Sequence, residues 1–456
     1  MSLFGTAGIR GDVRETVTPT LALSVGRAAG TLARERGEET VVVARDGRTT
    51  GRALADAVSA GLASAGVHVL RGGVLPTPAL AYASRGRRGV MVTASHNPPQ
   101  DNGLKLFVDG TEYDRTAEVA VESRVDGGTG PTDWSAWGDS TREEVLDDYR
   151  DTIVKYTRRV VGDCENTKVA VDCGNGMASV ATPQVLRALG ADVVALNANV
   201  DGHFPGRESK PTPESLEDLR AFVADGDFEF GIGHDGDADR IVVVDEEGEI
   251  VHEDTILAML AGFYTRQSDA ADPVVVTTPN ASARIDEHVE THDGRIERVR
   301  LGALHEGVAA VRDTGTADTD VVFAAEPWKH VHTGFGPWID GVTSAAVVGA
   351  LIARDGLAEL RAPIAERPYR KVSVDCPDDR KGPTMDVLES RLPESFPEAS
   401  VDTEYGVRLT FDDASWTLVR PSGTEPYVRI YAESDDVEAL VGDVREVVVE
   451  AIDDVS

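Results

Sequence analysis

Asp235, Asp237 and Asp239 stand at alternate positions in the run Asp235-Gly236-Asp237-Ala238-Asp239-Arg240. Three carboxylates this close repel one another, or shift their pKa values upward, unless a cation sits among them. A divalent ion resolves that conflict, and magnesium keeps coordination positions for phosphoryl oxygen. Arg240 adds a fork that suits the same phosphate. A calcium hand is excluded: Arg240 stands where that loop needs glycine, and Ile241-Val242-Val243-Val244 reads as a strand. The plain alternative is a solvated acidic turn.

A second loop, Thr93-Ala94-Ser95-His96-Asn97-Pro98, follows the apolar run Gly89-Val90-Met91-Val92, which predicts a short buried strand. A serine at a strand's carboxyl end, flanked by turn-forming residues, is expected to face a crevice rather than be packed away. Alone Ser95 is a turn residue; with the acidic loop it points to phosphoryl transfer through a phosphorylated serine. His96 suits either a loop-holding hydrogen bond or direct catalysis. The loop continues to Lys105, set between apolar residues, where burial is expected to lower its pKa toward the range useful for acid–base work.

Other anion-binding patterns surround these two. Phe4-Gly5-Thr6-Ala7-Gly8-Ile9-Arg10-Gly11 places three glycines around Arg10, allowing backbone and guanidinium to approach a phosphate. Arg45-Asp46-Gly47-Arg48 lies between a strand and a helix, where anions are welcome; either arginine equally suits a surface charge paired with Asp46. In Glu326-Pro327-Trp328-Lys329-His330, the glutamate can bond a pair of sugar hydroxyls and Trp328 offers a face for a sugar ring. A loop with one aromatic anchor explains the same residues. Arg420-Pro421-Ser422-Gly423-Thr424-Glu425-Pro426, with Arg429 beyond it, makes either a phosphate nest or an ordinary hairpin turn.

The chain of 456 residues has room for three or four domains. Its formal charge is −34, and lysine supplies only 7 of its 45 basic residues. An acidic, lysine-poor surface keeps a protein soluble in concentrated salt, which points to a halophilic source. The same charge argues against nucleic acid and anionic membranes as partners, so a small anionic substrate needs a locally basic site. No apolar run reaches the ~18–20 residues of a membrane span. With no secretory pattern at Met1–Gly5, and Cys164, Cys173 and Cys376 lacking disulfide or metal spacing, the expected setting is cytoplasmic.

The elements that must position these loops alternate between strand and helix periods. Helices are predicted at 21–36 and 51–65, strands at 40–44, 67–70 and 89–92, and a long helix at 141–158. The pattern restarts with strands at 168–172, 192–196 and 228–234 and a helix at 179–189. It restarts again with a helix at 254–264 and a strand at 273–278. From about Lys371 the character becomes α+β, with strands at 372–374, 416–419 and 427–432 and helices at 384–392 and 437–451. The expected domains are 1–150 with the serine loop, 151–252 with the metal loop, 253–368 with the sugar loop, and 369–456 with the phosphate loop. The first three are α/β units with mixed, mainly parallel sheets.

FGTAGIRG at 4–11, TASHNP at 93–98, DGDADR at 235–240 and RPSGTEP at 420–426 together resemble the α-D-phosphohexomutase superfamily. The resemblance spans essentially the whole chain. It implies four domains around a central cleft, the last of them mobile. It implies Ser95 as the phosphoserine, with Ser95, Asp235, Asp237 and Asp239 around Mg2+. Arg10, Lys105 and Arg240 then assist transfer, and His96, from its place beside Ser95, is the further catalytic candidate. Glu326, Trp328 and His330 fall on the sugar loop, and Arg420, Ser422, Gly423, Thr424 and Arg429 around the non-reacting phosphate. The implied reaction moves a phosphoryl group between the 1- and 6-positions of a hexose or hexosamine phosphate through a sugar 1,6-bisphosphate. The enzyme is expected to be a monomer or homodimer.

The family's Gly-Glu-x-Ser-Gly-His is altered here: Ala325, Trp328 and Lys329 replace the first glycine, the serine and the second glycine. Its Val-Gly-Asp-Lys loop becomes Leu301-Gly302-Ala303-Leu304-His305. Phosphoglucosamine or phosphomannose is the expected substrate, with a phosphopentomutase as the alternative. A sugar-phosphate phosphatase and a non-catalytic binder are the rival classes.

Overall fold

A computed structural model of the chain describes residues 3–5, 8–422 and 425–455. They form two compact bodies, Met1–Glu253 with Trp328–Leu360, and Asp254–Pro327 with Arg361–Ser456. The fold is α/β in its first three sheets and α+β in the last, as the alternation of periods predicts.

In the first body, strands Arg88–Val92, Thr40–Arg45, His68–Val74 and Ser140–Arg142 run parallel, each paired with the next. Strand Asp101–Val108 then turns back antiparallel on Arg88–Val92, and Ile9–Asp12 lies antiparallel on its outer side. Helix Pro19–Glu35 starts where Thr18 Oγ1 accepts from the Leu21 amide and proline takes the first helical position. With helix Gly51–Ser64 it buries Val25, Ala28, Leu54, Val58 and Leu62 in one core with Val41, Val43 and Val90 of the sheet.

Two expectations are corrected. Residues 97–107 were expected to continue the serine loop, yet Asp101–Val108 is a full strand. Asn102-Gly103 disguises its alternation, although Leu104 and Leu106 face the core. The long helix expected at 141–158 is instead a short strand followed by helix Leu146–Val160. Residues 140–142 are drawn into pairing with 69–71, and Asp147 and Asp148 favour a helix start just beyond.

The second sheet repeats the logic. Lys168–Asp172 pairs parallel with Asp192–Leu196 and Phe230–His234, and Ile241–Val244 returns antiparallel beside Phe230–His234. The serine loop and the acidic loop are therefore both hairpin connections at the carboxyl ends of buried strands. The helix expected at 179–189 is split into a 3-10 turn at Met177–Val180 and helix Thr182–Ala188. Helix Gly341–Asp355, capped by Asp340, completes this body.

In the second body, Asp272–Thr277 is flanked in parallel by Arg295–Arg298 and Thr319–Glu326. The last sheet is antiparallel throughout, in the order Tyr369–Asp375, Tyr427–Glu433, Trp416–Pro421, Val407–Thr410, Ser400–Asp402. Helices Asp378–Ser395 and Val437–Asp454 cover it. The α/β and antiparallel parts of this body meet through a buried ion pair. Arg284 Nη2 lies 3.0 Å from Glu433 Oε1, and neither side chain is more than 1% exposed. Arg284 also donates to Thr255 Oγ1 at 2.9 Å and to the Arg367 carbonyl at 3.2 Å.

Removing one member leaves the other charge buried and unpaired. Arg284→Met is therefore expected to cost ~3–5 kcal/mol, read as a lower thermal unfolding midpoint in concentrated KCl. An unchanged midpoint would show that this pair does not join the two parts.

Candidate active site

The acidic loop is the six-residue connection between Phe230–His234 and Ile241–Val244, whose last pair is His234 with Ile241. His234 is buried and fastens the base of the loop. Its Nδ1 lies 2.9 Å from the Arg240 carbonyl and its Nε2 lies 3.0 Å from Thr182 Oγ1. Burial pushes this imidazole down to about 4, so it stays neutral. Ala238 takes a left-handed φ of 63°, which brings the alternate aspartates round to one side. The carboxylates of Asp235, Asp237 and Asp239 lie within 4.8 Å of one another, all buried.

The serine loop connects Arg88–Val92 to Asp101–Val108 and meets this triad. Ser95 has φ 50° and donates from Oγ to Asp235 Oδ2 at 2.8 Å. Contrary to a crevice-facing serine, its side chain is fully buried, because the acidic loop closes on it. Gly236 permits the closure: a β carbon there would stand 2.6 Å from the Ser95 carbonyl oxygen. Ser209 adds a second tie, donating from Oγ to the Asn97 carbonyl at 3.0 Å.

Lys105 enters from the strand behind. Its Nζ is 3.1 Å from Asp239, 3.8 Å from Asp237 and 3.5 Å from Glu112. Burial alone would lower its pKa, as expected from the sequence, but the carboxylates of Glu112, Asp239 and Asp237 outweigh that effect and raise it. Lys105 therefore holds its proton firmly. Arg10 pairs across from Gly103, two residues from Lys105, so both project to one face. His96 sets Nδ1 3.3 Å from Ser95 Oγ; burial, then Arg240 and Arg10, push it down to about 2, so the ring is neutral.

Arg240 Nε lies 3.8 Å from Asp235 and 3.6 Å from Asp239. Burial and its two acidic neighbours hold the Asp235 carboxyl well above the usual range. Against its own burial, Lys105, Arg240 and Lys329 hold Asp239 below that range. Asp237 Oδ2 accepts from Thr77 Oγ1 at 2.6 Å, while Asp237 Oδ1 and Asp239 Oδ1 are buried without a hydrogen-bond donor among the described residues. Two orphaned acceptors inside three converging carboxylates fit a hard divalent cation.

Arg48 is the residue that sequence reasoning undervalued. It is buried with Asp46, at 3.1 Å, rather than on the surface. Its guanidinium donates to the carbonyls of Ser95, Asn97, Pro98 and Asp101 at 2.6–3.0 Å. Asp46 in turn accepts from Thr93 Oγ1 at 2.7 Å, and Thr93 accepts from the Ser95 amide. Burial raises Asp46 to about 6 despite Arg48. The DGR pattern after a strand was the available signal. That four carbonyls converge on its arginine was not readable.

Trp328 has φ 70° and packs against the apolar cluster of Leu216, Leu219 and Val242. His330 is buried, with Nδ1 3.1 Å from Ser344 Oγ. The second body carries the remaining residues. Glu326 accepts from the Gly302 amide at 2.5 Å. Arg420 and Arg429 face each other across paired strands, and among the described residues neither Nε, both buried, has an acceptor. Glu425 Oε2 accepts from Arg429 Nη2 at 2.7 Å and offsets one of the two charges; a bound anion would offset the other. Lys381 steadies the connecting loop by donating to the carbonyls of Ser422 and Glu425 at 2.8 and 2.5 Å. Thr6, Ala7, Gly423 and Thr424 lie outside the described residues.

Residues 1–130 match the phosphoglucomutase/phosphomannomutase α/β/α domain I, 147–248 match domain II, and 373–451 match the C-terminal domain. A phosphopentomutase of Thermococcus kodakarensis is 41% identical over 443 residues, covering 95% of this chain and 94% of that one. The chain belongs to the phosphoglucomutase/phosphomannomutase family. A probable phosphoglucosamine mutase of Methanopyrus kandleri is also 41% identical, over 447 residues with the same coverage. A phosphoglucomutase/phosphomannomutase family protein of Burkholderia thailandensis superposes with a TM-score of 0.86 at 27% identity, covering 99% and 97% of the two chains. As a family member the protein is a mutase, an isomerase-class enzyme that transfers a phosphoryl group intramolecularly.

The site yields a structural expectation for this mutase. Arg48→Met strands Asp46 and four carbonyls, and is expected to cost ~3–5 kcal/mol of stability and to open residues 93–101 to proteolysis. Arg48→Lys restores the charge but not the fork, and is expected to recover only part of the loss. Wild-type melting and protease resistance in both variants would contradict the anchoring role.

Proposed function

We propose that the protein interconverts sugar monophosphates through a phosphorylated Ser95. The observation that carries this reading is the 2.8 Å bond from Ser95 Oγ to Asp235, which brings a hydroxyl nucleophile into the acidic triad. The free hydroxyl of the bound sugar phosphate attacks phosphorus as the bond to Ser95 Oγ breaks. The sugar leaves as a bisphosphate and the hydroxyl proton ends on Ser95 Oγ. After the intermediate turns over, the same exchange in reverse returns the other phosphoryl group to Ser95. Asp235 accepts the hydrogen bond of the unphosphorylated Ser95 hydroxyl, and the cations Lys105, Arg240 and Arg10 offset the charge that spreads over the transferring group.

Asp235, Asp237 and Asp239, together with Ser95, would hold Mg2+. That ion supplies charge neutralisation at the phosphoryl oxygens. His96, neutral and beside Oγ, orients the hydroxyl. Glu326 and His330 serve sugar recognition, and Arg420, Ser422 and Arg429 take the non-reacting phosphate, as the unpaired Nε of each arginine supports. The division at residues 150, 252 and 368 belongs to this reading. So does a cytoplasmic, high-salt setting, supported by three free buried cysteines and the acidic composition.

The favoured substrate is a hexosamine or hexose 1-/6-phosphate. A pentose 1-/5-phosphate is the second reading, because Trp328 and Lys329 bring large side chains where the family pattern has serine and glycine.

A panel of glucosamine, mannose, glucose and ribose 1-phosphates, assayed in concentrated KCl with magnesium and a trace of sugar bisphosphate, separates these. Ser95→Ala is expected to lower interconversion by ~10³-fold or more while the chain stays folded. Wild-type turnover by that variant would overturn the phosphoserine reading. Free phosphate without isomerised sugar phosphate would instead favour a phosphatase. Chelation of the metal is expected to stop turnover, and magnesium to restore it; activity persisting in chelator would remove the ion from the scheme.

A further inference from the structure

Lys329 is one of only seven lysines, and it occupies a position where the family pattern has glycine. Its backbone forms an antiparallel bridge with Arg240, and the neighbouring Ile241 amide donates to the Trp328 carbonyl at 3.4 Å. Residues paired across such a bridge project to the same face, with β carbons ~4.5–5.5 Å apart. Arg240 sends its guanidinium toward Asp235 and Asp239. Lys329 therefore stands on the face turned to the acidic loop.

Trp328 explains how the loop presents this residue. Its left-handed backbone sends the indole into the apolar cluster around Leu216. The tryptophan is thus the anchor and the lysine the group offered to the site. A glycine at 329 would bring neither charge nor reach.

We propose that Lys329 is a phosphate-binding residue of the reaction site, its ammonium gripping the phosphoryl group of a sugar monophosphate or bisphosphate beside the metal loop. The inference rests on the mutase reading given above. A cation on a long flexible stem at this position can reach a phosphate held beside the metal loop, where Arg240 already supplies one fork. Lys329 exchanges no atom with the substrate. The chain spends a scarce lysine here while its surface is strongly acidic, which meets the need for local positive charge.

The test titrates the full chain, in concentrated KCl with magnesium, with glucose 1,6-bisphosphate in a calorimeter and measures KM and kcat in parallel. Wild type is compared with Lys329→Gln, Lys329→Arg and Lys155→Gln, the last removing the same charge from an exposed helix position. Lys329→Gln is expected to weaken bisphosphate binding ~10-fold or more and to raise KM to match, with kcat changed less than ~3-fold. Lys329→Arg is expected to restore most of the affinity, and Lys155→Gln to behave as wild type. Unchanged affinity and KM in Lys329→Gln, beside an active wild type, would overturn the inference and leave the mutase reading intact. Failure of arginine to restore binding would also overturn it, by assigning the loss to packing. Wild type that binds the bisphosphate through Lys329 without interconverting sugar phosphates would remove the mutase reading and leave the lysine's role standing.

Discussion

Three carboxylates buried within 4.8 Å of one another set the terms for everything around them. Water cannot screen charges held this deep, so the loop exists only while countercharge is supplied by the protein or by a cation. Lys105 and Arg240 supply part of it, and among the described residues two carboxylate oxygens have no hydrogen-bond donor. The loop's hairpin geometry, its fastening by His234 and the glycine that admits Ser95 all follow from keeping these charges at one fixed place. The serine takes its chemical meaning from the triad, since its hydroxyl is bonded to one of the carboxylates that need a cation.

The serine loop meets the same constraint through a different device. Its peptide carbonyls turn inward, and Arg48 gathers four of them while Asp46 balances the arginine. A buried guanidinium shared among carbonyls and one carboxylate fixes a left-handed serine more firmly than turn residues alone could. In the second body, Lys381 performs a comparable service for the loop between Arg420 and Arg429. Cations thus act both as structure under the loops and as the local positive field inside an acidic protein.

Much of this was legible in the sequence, and the exceptions have physical causes. Strands such as 168–172 and 192–196 were readable because each centres on an unbroken apolar run, 169–171 and 193–196, flanked by polar and turn residues. The acidic loop and the serine loop were readable because their residue types have few other uses together. Strand Asp101–Val108 was hidden by Asn102-Gly103, whose turn character is overridden by pairing on both sides. The direction of the Lys105 shift was misjudged because three carboxylates from elsewhere in the chain converge on it. Arg48 and Lys329 depend on which backbone segments meet, information that no local pattern carries.

The central claim is that Ser95 is the phosphate carrier, and the phosphorylation site itself tests it most directly. The chain is incubated with glucose 1,6-bisphosphate and magnesium, quenched, digested and mapped by mass spectrometry. The account predicts one phosphoryl group, on Ser95, that disappears when excess sugar monophosphate is added. A phosphoryl group on any other residue, or full turnover with Ser95 never modified, would contradict it.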